Sequence, residues 1–189
     1  MSDLEEVTPP AAEPLTLEQA KAWLRVDGDD DDGVITALIK GARMEVEAFT
    51  RLRLITQTVE FTLAAFPGRI RIPTWPVQSV ESVSYIDDAG EAQTMSDADW
   101  TLVTGRRPRE IAPAYGLTWP STRAHWNAVT VKAVVGYGGS GADVPADILA
   151  AMRLIIATRF DFRSDAVVGT VAAGLPVTAR TLLMPHVLY

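Results

Sequence analysis

Twice along this 189-residue chain the spacing of apolar side chains changes period, and those two changes constrain the fold more than any other feature. Before about residue 50 apolar residues recur every three or four positions, the signature of amphipathic helices. From Thr56 to Tyr137 they alternate, as strands with one buried face require. After Val144 the helical spacing returns. Helices, then a strand-rich block, then another helix make an α+β chain.

End signals place the helices. Thr16, Leu17, Glu18 and Gln19 have the form of a capping box, with Thr16 as N-cap and Gln19 three residues on. Leu17, Ala20, Trp23 and Leu24 give a short helix one apolar face to about Arg25, with Gly28 as its stop. A second helix spans about 31–50, with Ile35, Leu38, Ile39, Ala42, Val46 and Phe49 on its apolar face. Aspartates stand at its start and Arg51 and Arg53 at its end, the order the helix dipole favours. Asp143, Val144 and Pro145 open a third helix, whose stripe of Ile148, Leu149, Met152, Ile155, Ile156 and Phe160 ends near 162. Pro176 can begin a further short helix that ends before Pro185.

The alternating block contains strand patterns at 58–63, 69–72, 80–86, 91–95, 100–103, 110–112 and 128–135. Asp87, Asp88, Ala89 and Gly90 form a hairpin turn. The expected organisation is a flexible acidic tail at 1–14 and a helical core of three main helices at 15–55 and 143–163. A β-rich insertion at 56–137 lies between the second and third helix, and an extended C-terminal arm covers 164–189.

Charge and composition narrow the function. The net charge of −7 is concentrated in residues 1–33, which hold 10 acidic and 2 basic side chains. The remainder is nearly neutral, so the clustered positive charge of a tight DNA-binding protein is missing, apart from Arg106, Arg107 and Arg109. No apolar run reaches the roughly 18 residues of a membrane span. The acidic start MSDLEEVTPP lacks the apolar core of a secretory signal. Cysteine is absent, which removes disulfides and thiolate zinc sites and suits assembly in a reducing cytoplasm.

Each possible chemical site meets a simpler explanation. The aspartates at 27–32 fit no EF-hand register: counted from Asp27, the glycine and glutamate positions fall on Asp32 and Leu38. They read as a solvated turn with helix N-terminal charge. His125 and His186 belong to no metal or triad motif. The acid pairs Asp87/Asp88 and Asp97/Asp99 could suggest glycosidase carboxylates, but both stand in turn contexts. The glycines at 136, 138, 139 and 141 lack the lysine of a phosphate loop and read as a flexible hinge. No cofactor or metal is expected. Arg106, Arg107 and Arg109 can touch a phosphate backbone, a partner's acidic surface or only solvent. The apolar end at 181–189 wants burial, either on its own helices or in a neighbouring subunit.

The order and spacing of several segments resemble the phage head–tail connector family. These are Leu15 to Lys21, Leu24 to Asp32, Ile35 to Arg51, Leu54 to Thr58, Pro76 to Val80, and Val134 to Gly138 followed by Val144 and Pro145. The version with a β insertion is similar to the adaptor proteins of bacterial gene transfer agents. This resemblance implies a non-enzymatic adaptor in the virion or particle neck, a homo-oligomeric ring typically of twelve. Such a ring binds the portal on one side and a stopper or tail component on the other, and DNA passes through its lumen. The portal-binding segment would map to Leu175, Pro176, Leu182, Leu183, Met184, His186, Leu188 and Tyr189. Asp29, Asp30, Asp31 and Asp32 would face the lumen, where acid repels phosphate over about 8–10 Å, or a basic neighbour. Alternatives are a stopper or tail-completion protein of the same neck and, from another class, a carbohydrate-binding or hydrolytic β-domain protein.

Overall fold

The computed structural model describes residues 4–161, 166–167, 170–171 and 175–188. It is α+β and divides into two compact units, one mainly of strands and one of helices.

The strand unit comprises residues 1–11 and 56–137. Its larger sheet is antiparallel, with β1 (Leu4–Thr8), β2 (Gln57–Leu63), β8 (Val129–Val135), β4 (Val77–Ile86) and β5 (Ala92–Thr94) in that spatial order. A smaller sheet orders β3 (Ile70–Arg71), β7 (Glu110–Pro113) and β6 (Trp100–Val103). The central strand β8 is strictly alternating: Val129, Val131, Ala133 and Val135 are buried and the residues between them half-buried. Those four meet Val59 and Phe61 of β2, Val77 and Val83 of β4, and Ile70, Ile72 and Ile111 from the smaller sheet. Each fully buried valine or isoleucine contributes about 1.5–3 kcal/mol, which makes this row the centre of the unit.

Two registers carry irregularities. Strand β4 slips against β8 between Val77 and Ser79 and again between Val80 and Ser82, and β1 slips against β2 between Glu6 and Thr8. Such bulges add local twist, which a sheet that must curve around a core exploits. The turn after β4 is a hairpin as expected, with Gly90 at φ +91 and the Asp87 carboxylate accepting from the backbone N–H groups of Ala89 and Glu91.

The described residues of the helical unit lie within 12–55 and 138–187. Helix α1 (Leu17–Leu24) begins with the expected capping box: Thr16 Oγ1 accepts from Gln19 N, and Gln19 Oε1 accepts from Thr16 N. Helix α2 (Asp32–Thr50) packs on α1 and on α3 (Ala146–Asp161), and α3 also packs on α4 (Val177–Leu183). Ile35, Ile39, Ala42 and Val46 of α2 and Ile148, Ala151, Met152, Ile155 and Ile156 of α3 are buried.

Several expectations need correction. Residues 4–8 are not a structureless tail: they pair with β2, because an acidic segment of alternating character can still satisfy the open backbone edge of a sheet. Helix α1 stops not at Gly28 but at Arg25, which adopts the left-handed conformation at φ 57, and Gly28 shapes the next turn at φ +83. Trp23 leaves the apolar face and is half exposed. Two glycines of the run, Gly138 and Gly141, stand in close contact rather than in open space. A Cβ on Gly141 would stand 1.9 Å from the Pro14 carbonyl oxygen, and one on Gly138 would stand 2.2 Å from Asp143 Oδ2.

The C-terminal segment is not an extended arm over 175–188. Val177–Leu183 is helical and lies on α3, and Ala179 and Leu183 are fully buried. Two apolar residues four apart give that short helix a face, and burying it costs less than leaving it in water. Tyr189 and much of 162–174 lie outside the described residues.

Candidate interaction surfaces

Ordinary folding roles account for most of the polar residues that could carry chemistry. Glu47 is buried on α2, and its carboxylate accepts from Arg43 Nη1 at 3.0 Å and from the Leu54 backbone N–H at 2.9 Å. Arg43 Nε also donates to Glu13 at 2.8 Å. This network ties the segment before α1 and the segment after α2 to one point on α2. Burial pushes the Glu47 carboxyl above its usual range, against the pull of the Leu54 N–H and of Arg43 and Arg53. Burial pulls Arg43 down, but its hydrogen bond to Glu13 and the charges of both glutamates outweigh it and raise it. Periodicity gave no sign of this pair, since it occupies core-facing positions that the apolar pattern leaves blank.

His125 is exposed, and its Nδ1 accepts from the Asn127 N–H at 3.2 Å. His186 faces Asp147 at 2.6 Å, joining the end of the chain to the start of α3. Burial alone would raise the Asp147 carboxyl, but the hydrogen bond and charge of His186 hold it below its usual value. Among the described residues no group of three or more metal-ligating side chains comes together. No described helix is long and apolar enough to cross a membrane.

The carboxylate pairs do not form a two-acid site. Backbone N–H groups of the turn, first that of Glu91, and the Gln93 amide lower the Asp87 carboxyl, and Asp88 accepts from Ser121 Oγ at 2.5 Å. A shallow cleft of about 330 Å³ in the strand unit is lined by Tyr85, Met95, Leu117 and Trp119, with Asp99 as its only carboxylate. Glycoside hydrolysis by the common route needs two. Phe66 stacks on Trp119 with ring centres 4.7 Å apart and meets Tyr85 edge-on, so these aromatics serve as packing.

The acidic turn is solvent-facing at Asp29 and Asp30, whereas Asp32 is half-buried and bound by Lys21 Nζ at 2.5 Å. Lys21 also donates to the Gly28 carbonyl, so one cation closes the loop on itself. Asp29 and Asp30 face outward while Asp32 is tied to Lys21, so the four aspartates do not form one uniform face.

Arg106, Arg107 and Arg109 lie at the tip of the β6–β7 hairpin, and β3 and the residue before it add Arg71 and Arg69. Arg71 pairs across the sheet with Glu110, whose carboxylate stands 3.4 Å from Arg69 and 3.8 Å from Arg106. The Arg107 and Arg109 guanidinium carbons lie 5.9 and 5.7 Å from the centre of the Trp75 ring. Arg69, Arg71 and Trp75 were missed from sequence because some 35 residues separate them from the cluster. The outward arginines of Arg69-Ile70-Arg71-Ile72 were the available signal.

Of the expected portal-binding residues, Leu183 and Leu188 are buried and Leu175, Pro176, Leu182 and His186 are half-buried. Met184 is exposed, and Val177, at 83% exposure, is the most open apolar side chain of α4.

With these surfaces set out, residues 14–98 match the model of the phage gp6-like head-tail connector protein family. Over that span the chain is similar to head–tail connector proteins. The matched span covers α1, α2 and strands β2 to β5. The structure is similar to a chain in the neck of an empty gene transfer agent (GTA) particle computed with C6 symmetry. The TM-score is 0.80 at 23% identity, covering 99% of this chain and 96% of that one. A chain of the native GTA virion matches with a TM-score of 0.80 and 24% identity over 98% and 95%. A chain in the native GTA neck computed with C12 symmetry matches with 0.72 and 25% over 99% and 96%. No curated protein sequence matches the chain.

Proposed function

We propose that this chain is a structural, non-enzymatic head–tail adaptor. Copies of it form a ring, in a twelve-fold arrangement, between the portal and the stopper or tail of a tailed particle, and the ring surrounds the DNA exit channel. The observation that carries this reading is the near-complete likeness, at 99% and 96% coverage, to a chain of a particle neck. Six- and twelve-fold neck symmetries of the similar structures support a ring.

In this reading the helical unit is the connector core and 56–137 is an insertion into it. The C-terminal helix and the residues after it meet the portal through Met184 and the open face of α4 around Val177. Buried residues such as Leu183 hold that helix in place. Asp29 and Asp30 face either the lumen, where acid keeps DNA from adhering, or a basic neighbour.

The test is removal of the chain from cells that make the particle. Without it, imaging should find filled heads with no neck ring and no tail, and restored chain should restore both. Complete necks in its absence would sink the proposal. Density for the chain below a separate adaptor ring would make it a stopper instead.

A further inference from the structure

The strand unit carries a concentration of positive charge. Residues 69–75 and 104–110 contain five arginines and a single acid, Glu110, which leaves a net −11 on the rest of the chain. Arg69 and Arg106 share the Glu110 carboxylate, and Arg107 and Arg109 both approach the Trp75 indole. Arg109 Nε is buried without a hydrogen-bond partner. Guanidinium forks pre-positioned by an aromatic face and a neighbouring strand lose little freedom when they donate to a carboxylate.

The chain also presents the complement. Asp27, Asp29 and Asp30 are exposed on the turn between α1 and α2, and Lys21, the cation of that turn, is committed to Asp32 and the Gly28 carbonyl. A head-to-tail ring requires two different surfaces on one chain that fit each other. We infer that the arginine tip of one copy docks on the Asp27, Asp29 and Asp30 turn of the next copy. This contact rests on the ring reading above and deepens it. A second copy fits better than DNA because the patch includes Glu110, and because the −11 of the remaining chain opposes a polyphosphate.

Charge reversal tests this in assembled particles. R106E/R107E alters the arginine tip at exposed positions, D29R/D30R alters the turn, and a fourth chain carries both changes. Each single reversal is expected to lower neck occupancy about tenfold or more, and the combined chain should return it to nearly the wild-type level. The chain has no cysteine, so particles built with D30C/R106C should give ladders of disulfide-linked copies on oxidation without any reversed charge. Normal occupancy of both single reversals, failure of the combined chain to recover, or absence of ladders overturns the inference and leaves the adaptor reading intact. So does loss of duplex-DNA retention in R106E/R107E with occupancy unchanged, which would make the tip a nucleic-acid surface. Absence of the wild-type chain from necks overturns both.

Discussion

Arg43 Nη1 meets Glu47 Oε2 at 3.0 Å one turn along α2, and each residue is about 5% exposed. Two opposite charges have been taken out of water together, in the middle of a helix face otherwise lined by Ile35, Ile39, Ala42 and Val46. The return on that cost is connectivity. Glu13 reaches Arg43 from before α1, and the Leu54 N–H reaches Glu47 from beyond α2.

Removing one member should therefore cost far more than an exposed ion pair is worth. Arg43→Met leaves Glu47 and Glu13 facing each other's charge, and Glu47→Leu leaves Arg43 with Glu13 alone of the two carboxylates and strands the Leu54 N–H. Each is expected to lose about 3–5 kcal/mol in urea unfolding. The double variant should lose clearly less than the two losses summed, since neither buried charge of the pair is then left alone. Additive losses would show that the two residues act independently.

The glycines offer a graded comparison. Gly141→Ala drives a methyl group into the Pro14 carbonyl, backbone that cannot move without shifting the chain before α1. Gly138→Ala meets the Asp143 side chain, which also accepts from Ser140 N and Oγ at 3.1 Å. Both should destabilise by about 1–3 kcal/mol, with Gly141 the worse. Gly33→Ala, in the first turn of α2 with nothing within 4 Å, should instead raise stability by about 0.4–1 kcal/mol. Thermal melting of the three variants checks the order.

Local signals carried much of this fold into the sequence. The Thr16 capping box, the alternation of β8 and the Asp87–Gly90 turn were legible because each depends on a few adjacent residues. What was not legible depends on partners far along the chain. Leu4–Thr8 is a strand only because β2 presents an open edge some 50 residues later. The C-terminal helix could be read as a helix, but its place on α3 could not, since an apolar stripe states a need for burial and not where burial occurs. The arginine tip was half legible: three arginines stand together in sequence, and the pairing of β3 with β7 supplies the other two.

Strand β1 yields a prediction about solubility. Its removal would expose the outer N–H and C=O groups of β2, a seven-residue edge whose Val59 and Phe61 belong to the core. Unprotected edges of this kind pair with other chains. A chain lacking residues 1–8 should show concentration-dependent association by light scattering and faster amide exchange along β2. An unchanged monomer signal and unchanged exchange would show that β1 does not protect the edge.

The contact between Asp147 and His186 makes the attachment of the C-terminal residues depend on pH. The Asp147 carboxyl is held below its ordinary value in the fold, by the hydrogen bond and charge of His186 acting against burial. As pH falls, the unfolded chain therefore takes up this proton first, near the ordinary value of about 4. The stabilisation is present above that pH and is lost as pH drops further through the lowered folded value. Asp147 is 43% exposed, so solvent screening limits the gain to about 0.5–1 kcal/mol. Asp147→Asn should lower stability by that amount at pH 6 and leave it unchanged near pH 2. His186→Gln should give nearly the same curve, and the double variant no further loss, if the pair is what acts. Amide exchange in Val177–Leu183 should quicken in each variant at pH 6, because His186 lies at the end of the segment that follows α4. Equal destabilisation at both pH values would assign the effect to packing and remove the ion pair from the account.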